Sequence, residues 1–338
     1  MTRPQTLSMQ AGEAQADRQT IHNIDRLGAP LLVSWQLTRD CDLACVHCCT
    51  ESAPGKVMAG ELSRAEALDL ADQIVAAKVP YVMLCGGEPM VVPHFLDVAE
   101  RLGAAGVKLK IETNGQKLDA GTIARLARLP IRSIQISLDA DTPDTYAKQR
   151  VGASLVKVHD ACRAVVHAGL PLEITFAPTR INIAEAAAVI ARARAFGAFR
   201  FNSGALMRIG NAAKNWRKLA LDERREKDFR ALLDAESANG DKAMELCYTP
   251  FRMSEALERM LREPPATLLI LPNGWVKASA ALPDIVADLR RHSLEVAWAA
   301  YQRAWRLAGL RNAISRAIAD DAELENANKW RGFETSNF

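Results

Sequence analysis

Apolar and polar positions fall into short blocks of two alternating kinds along this chain. Runs such as Leu31 to Leu37, Tyr81 to Cys85 and Leu172 to Phe176 are compact apolar stretches that read as strands. Between them, apolar residues return at helical spacing. Ser63-Arg-Ala-Glu66 forms a capping box for a helix with Leu68, Ala71 and Val75 on one face, stopped at Val79-Pro80. His94 to Leu102 reads as a helix closed near Gly106, and Val107 to Ile111 as an alternating strand. Ala120 to Leu129 is a helix, Ser133 to Leu138 a strand, and Ser154 to His167 a helix ending at Gly169. After the strand at Leu172 come an Ala-rich helix over Ile183 to Phe196, a strand over Phe199 to Asn202 and a last helix over Leu221 to Glu236.

Strands regularly separated by helices imply parallel βαβ crossovers. The six units are too few for a closed eight-stranded barrel, so the pattern predicts an α/β fold, an open (βα)6 partial TIM barrel. Its chemistry should lie at the C-terminal ends of the strands. From Glu245 onward the character changes. Ala266 to Leu271, the turn Pro272-Asn-Gly274 and Trp275-Val276 give a hairpin signal, followed by a Trp-containing helical stretch to Leu310. We therefore expect a polar N-terminal segment over 1–28, a barrel over 29–215, a connecting helix with a smaller α+β domain over 216–330, and a flexible tail over 331–338.

Composition adds bounds rather than direction. Hydrophobic content of 49% and charged content of 25% over 338 residues suit a globular protein with a real core. A net charge of +3 makes no case for nucleic acid or membrane as partner, and no run approaches membrane-spanning length. Seven cysteines, several of them in one loop, do not resemble a secreted disulfide framework, and the expected location is the cytoplasm.

The chemistry concentrates in Thr38-Arg-Asp-Cys-Asp-Leu-Ala-Cys-Val-His-Cys-Cys49, directly after the first strand. Cys41, Cys45 and Cys48 stand in the spacing Cys-x3-Cys-x2-Cys. Soft thiolates this close suit an iron–sulfur cluster, and three of them leave one iron of a cubane open to a small molecule. Structural zinc takes four ligands, usually in two pairs, and no second Cys/His pair lies at suitable distance. This loop resembles the cluster loop of the radical S-adenosylmethionine (SAM) superfamily. The resemblance implies one [4Fe-4S] cluster on Cys41, Cys45 and Cys48, SAM chelated by the open iron, and reductive cleavage to a 5′-deoxyadenosyl radical. It also implies a flavodoxin- or ferredoxin-type electron donor.

Further motifs at strand ends carry the same resemblance. Cys85-Gly-Gly-Glu-Pro89 resembles the family's GGE motif, so Gly86, Gly87 and Glu88 are expected to receive the SAM amino group. Glycines there allow backbone to approach a ligand, and a carboxylate accepts from an ammonium. Thr113-Asn-Gly115 and Ser137-Leu-Asp139 fall where Asn114, Ser137 and Asp139 would meet ribose or substrate. His47 would lie by the adenine, and Arg150 of Arg150-Val-Gly-Ala-Ser154 would pair the SAM carboxylate. Met207-Arg-Ile-Gly210 fits a loop over the site. Cys49, Cys85 and Cys162 read as packing.

The C-terminal layout resembles the SPASM or shorter twitch domain, which in many relatives holds auxiliary clusters, but no cysteine follows Cys247. That argues against a two-electron oxidation feeding such a cluster and for a redox-neutral outcome such as epimerisation, decarboxylation or rearrangement. Cys247, in a proline-containing loop after the barrel, is then a candidate hydrogen donor. The expected substrate is a small metabolite, such as a sugar, nucleoside or amino-acid derivative. The alternatives are a peptide, a tetrapyrrole, or a non-catalytic iron–sulfur protein of electron transfer or binding.

Overall fold

The computed structural model describes residues 23–239 and 243–332. Most of the expected N-terminal segment and residues 333–338 of the tail lie outside them. The strands are β1 (Leu32–Gln36), β2 (Ala44–Cys45), β3 (Tyr81–Cys85), β4 (Lys108–Thr113), β5 (Ile131–Ser137), β6 (Arg150–Val151) and β7 (Leu172–Phe176). Then follow β8 (Arg200–Gly204), β9 (Glu245–Thr249), β10 (Thr267–Ile270), β11 (Trp275–Lys277), β12 (Asp284–Asp288) and β13 (Arg331–Gly332).

The six expected strands stand side by side and parallel, in the order β1-β3-β4-β5-β7-β8. Crossover helices Arg64–Ala76, Phe95–Ala104, Ala120–Leu126, Leu155–His167 and Ala186–Phe196 connect them. The partial barrel is therefore the architecture. Local chemistry explains the punctuation. Ser63 closes a reciprocal capping box with Glu66, Ser154 caps Leu155–His167 by accepting from Lys157 N–H, and Gly197 ends Ala186–Phe196 in the left-handed region.

Three features differ from the sequence expectation. The first crossover helix buries Ala67, Leu70, Ala71 and Ile74, so its packed face is rotated from the one through Leu68 and Val75, both half-buried. The last third is not set apart from the sheet. β9 pairs parallel with β8, and β10 pairs parallel with β1, so the chain after the barrel extends both edges before turning antiparallel into β11 and β12. The expected Asn-Gly hairpin is the β10–β11 pair. Residues 24–27 and 331–332, at the two ends of the described stretch, are also held. Leu27 and Ile24 carbonyls accept from Trp298 Nε1 and Gln302 Nε2 at 2.8 and 2.6 Å, and Arg331–Gly332 pairs with Asp284–Ile285.

The two faces of the sheet are chemically opposite. Val33, Trp35, Val82, Leu84, Leu109, Ile111, Ile134, Ile136, Ile174 and Phe201 belong to one large buried cluster with the helices. From β4 to β9 the alternate positions are mostly polar. Glu112, Gln135, Glu173, Arg200 and Glu245 stand in one row across β4, β5, β7, β8 and β9, and Ser137, Thr175, Asn202 and Cys247 in the next. Barrel interiors of this kind are more often filled by branched apolar side chains. No helix among the described residues is long and apolar enough to cross a membrane.

Candidate active site at the strand ends

The cysteine loop leaves β1 and folds against the second strand end by backbone contacts. Gly87 N–H donates to Thr38 carbonyl at 2.7 Å and Glu88 N–H to Asp40 carbonyl at 2.9 Å. A Cβ on Gly87 would lie 1.9 Å from the Asp40 oxygen, so this glycine serves a backbone crossing as well as any ligand. β2 and β6 pair antiparallel, placing Cys45 opposite Arg150. The segment after the sixth barrel strand covers the loop from outside. Asn211 N–H donates to Cys48 carbonyl at 2.8 Å, Asn211 Nδ2 to Cys45 carbonyl at 3.2 Å, and Asn215 Nδ2 to Val46 carbonyl at 3.0 Å. Gly210 makes this approach possible with φ of 59°, since a Cβ would meet the Cys49 oxygen at 2.5 Å. Met207-Arg-Ile-Gly210 thus packs on the site as expected, but Asn211 and Asn215, which do the holding, carried no motif.

The three cysteines line one cavity of about 540 Å³ together with His47, Gly86, Gly87, Asn114, Ser137 and Arg150. Hydrogen-bond donors point at their sulfurs. Leu43 N–H reaches Cys41 Sγ at 3.4 Å and Asn114 Nδ2 at 3.7 Å, Arg150 Nη1 reaches Cys45 Sγ at 3.7 Å, and Ser52 N–H reaches Cys48 Sγ at 3.4 Å. Burial pushes the Cys41 thiol up to about 12 and the Cys45 thiol up to about 11. Without a metal these sulfurs keep their protons; bound iron is what makes thiolates favourable here. Among the described residues no three His, Cys, Asp or Glu side chains close on a single ion. Three sulfurs that share one cavity and carry N–H donors have the donor set that an iron–sulfur cluster would take. His47 adds a second mark of fit, because its Nδ1 is buried without a hydrogen-bond partner.

Two expected ligand-contacting carboxylates do not face the cavity. Glu88 is fully buried and accepts from Thr113 hydroxyl and Asn114 N–H, both at 2.8 Å, and from Met90 N–H at 3.3 Å. Burial lifts its carboxyl to about 7 despite those donors. It ties two strand ends together, leaving the backbone of Gly86 and Gly87 at the cavity. Asp139, also fully buried, accepts from Arg150 Nε at 2.7 Å and Ala177 N–H at 2.7 Å and lies 3.3 Å from His47 Nε2. Burial alone would raise the Asp139 pKa, but the Arg150 guanidinium and His47 outweigh it and hold the carboxyl well below the usual carboxylate range. Arg150 is accordingly committed to Asp139 and Cys45. Asn114 spends its amide on Asp42 Oδ1 at 2.7 Å and its carbonyl on Gln116 N–H at 2.8 Å. Ser137 does line the cavity.

Cys247 is in strand β9 rather than a loop, opposite Asn202, and is absent from the cavity lining. Cys162 is fully buried core, as expected. Cys49 and Cys85 pack as expected and also line the cavity. Among the lining residues that motif reading missed are the inner-face polar side chains Glu112, Gln135, Thr175 and Asn202. Their signal was the period-two alternation of the strands, which puts every second residue on the inner face.

Comparison with known proteins agrees with this geometry. A family model described as the Radical SAM superfamily matches residues 35–191. Mycofactocin maturase MftC of Mycobacterium ulcerans is 33% identical over 199 residues, covering 57% of this chain and 52% of that protein. An AdoMet-dependent heme synthase of Methanosarcina barkeri is 27% identical over 175 residues, covering 52% and 50%. The chain spans about half the length of the curated relatives it matches. Among solved structures, Streptococcus suis SuiB bound to S-adenosylmethionine superposes with a TM-score of 0.68 at 12% identity, over 88% of this chain and 76% of that one, a likeness of fold. The cysteine loop and the strand-end motifs all lie within residues 35–191, the stretch that carries the radical SAM domain.

Proposed function

We propose that this chain is a radical SAM enzyme that removes hydrogen from a small organic substrate held in the barrel lumen, with a redox-neutral outcome. The observation that carries the reading is the convergence of Cys41, Cys45 and Cys48, each with an N–H donor on its sulfur, on a cavity whose inner wall is polar. Cys41, Cys45 and Cys48 would hold a [4Fe-4S] cluster, and His47, Gly86, Gly87 and Ser137 would border SAM. When bound, cluster and SAM together supply one-electron cleavage and a carbon radical able to take hydrogen from an unactivated C–H bond.

The protein's own contribution is orientation. N–H groups on the sulfurs stabilise their charge and tune the metal they hold. The Asp139–Arg150 pair braces the loop at Cys45, and Glu88 locks the strand ends at Asn114. Phe251, Met253 and Ala256 form an apolar part of the cavity wall.

Size and cysteine content support the finer reading. Pockets of about 300–1,000 Å³ suit one drug-sized ligand, and SAM would take much of this one. What is left suits a small molecule or one side chain better than a macrocycle. Within this chain, Cys247 stands alone in the last third, so a second cluster has no cysteine set. A flavodoxin- or ferredoxin-type donor in the cytoplasm would deliver the electron. The similarity to mycofactocin maturase favours a second reading, in which a separate carrier presents a maturase-type substrate.

The test is anaerobic reconstitution with iron and sulfide, then reduction in the presence of SAM. Four irons per chain and release of 5′-deoxyadenosine and methionine are expected. An intact cluster that neither binds nor cleaves SAM would overturn the enzyme reading in favour of an electron-transfer protein.

A further inference from the structure

The inner wall of the barrel is a chain of charges that balances everywhere but at one end. Glu245 pairs with Arg200 at 2.7 Å, Arg200 reaches Glu173 at 3.4 Å, and Lys110 Nζ donates to Glu173 Oε2 at 2.7 Å. Two cations and two carboxylates are thereby matched. Glu112 is the carboxylate left over. It lies two residues beyond Lys110 on the same strand face, and it lines the cavity that holds Cys41, Cys45 and Cys48.

Its hydrogen bonding is half complete. Gln135 Nε2 donates to Glu112 Oε1 at 3.0 Å, and Gln135 Oε1 in turn accepts from Asn202 Nδ2 at 3.3 Å. That chain fixes the orientation of the amide, so it can only donate to Glu112. Among the described residues no donor reaches the second oxygen and no cation pairs with the carboxylate. The nearby titratable groups are the committed Lys110, the like-charged Glu173, and the Cys49 and Cys85 thiols, which burial keeps protonated. Burial raises the pKa of Glu112, so with one oxygen unmatched it resists ionising, and a cation arriving in the cavity is what would favour its charged form.

We propose that Glu112 anchors an alkylammonium group of the substrate, with Ser137, Thr175 and Asn202 forming the polar wall beside it. The proposal rests on the radical SAM reading for where the reacting carbon lies, but ammonium binding can be measured without turnover. The group could belong to a free amine or to a lysine side chain of a peptide; the chemistry at Glu112 is the same.

The probe is n-butylammonium against n-butanol, titrated by ligand-observed NMR into the reconstituted protein with SAM. The wild type should bind the ammonium at least about tenfold more tightly than the alcohol, a difference of about 1.4 kcal/mol. Glu112→Gln should erase the preference, Glu112→Asp should restore part of it, and Glu245→Gln, which alters the far end of the chain, should keep it. Iron content and circular dichroism establish that each variant is folded. Competition by Ac-Gly-Lys-Gly-NH2 would assign the group to a peptide side chain, and its failure to a free amine. Equal binding of ammonium and alcohol by the wild type, or equal loss of preference in Glu112→Gln and Glu245→Gln, would overturn the proposal. Failure of the radical SAM reading would show separately, as wild-type protein without iron or SAM cleavage.

Discussion

The cluster end of the barrel and its lumen are lined by the same kinds of residue, yet they treat polar groups in opposite ways. At the cluster end nearly every polar group is spent inside the protein. Glu88 is satisfied by Thr113 and Asn114, Asp139 by Arg150 and Ala177, and Asn114 by Asp42 and Gln116. In the lumen, Glu112 keeps an open oxygen and Gln135, Thr175 and Asn202 face the cavity. A region that holds a resident group can be completed once, whereas one that admits and releases a substrate must leave hydrogen-bonding capacity unused. Changes at the cluster end should therefore cost stability and metal together, and changes in the lumen should cost binding alone.

The strongest test of that division is at the cysteines. Replacing Cys41, Cys45 or Cys48 with Ala should remove the cubane and abolish SAM cleavage, read by iron counting and 5′-deoxyadenosine release. Unchanged cleavage in any one variant would break the cluster assignment. Next is Gly87→Ala. With its Cβ 1.9 Å from Asp40 carbonyl, the variant should lose about 3 kcal/mol or more of stability and load iron poorly, although no ligand atom was touched. Normal loading with a wild-type melting temperature would show that the loop is not fixed by this crossing.

A smaller, pH-dependent effect belongs to Glu88. Its folded pKa of about 7 stands above the ordinary glutamate value near 4.3, so the folded chain holds this proton more tightly than the unfolded chain. The contribution is present at low pH and is lost as pH rises from about 4.5 to about 7. Relative to Glu88→Gln, the wild type should lose on the order of 3 kcal/mol across that window, measured by denaturant midpoints on the cluster-free protein. A constant difference would mean that the carboxyl is already ionised at the lower pH. The smallest effect is expected at Cys247, which lies off the cavity. Cys247→Ala should assemble its cluster and turn over as the wild type does, and stalled turnover would return it to the mechanism as hydrogen donor.

The sequence made the barrel legible because its signals are local. Ser63 and Glu66 meet within one helical turn, and each apolar run carries its strand regardless of what lies beside it. Long-range pairing has no such mark. Nothing around Leu32 announces Thr267 as its neighbour, and nothing in Leu246-Cys-Tyr248 separates an edge strand from a loop. At the site, the cysteine spacing singled out the candidate metal ligands, because ligand type and spacing are themselves the chemistry. The carboxylates were harder. Glu88 and Asp139 sit in motifs that suggest ligand contact, but their partners Thr113, Asn114 and Arg150 become visible only in three dimensions. Glu112 lay one residue past an alternating strand read as ending at Ile111. Extending that alternation would have put a carboxylate on the inner face.

The pairing of β1 with β10 also bears on how the protein is made. A nascent chain emerges with β1 and its cysteine loop first, while the strand that covers the other side of β1 is still unsynthesised. Contacts between such distant segments form late and slowly. Until then, the first strand presents an open edge to the cell. Iron–sulfur loading before release from the ribosome would place a cluster beside that edge, so insertion is best timed after the last third of the chain has closed the sheet.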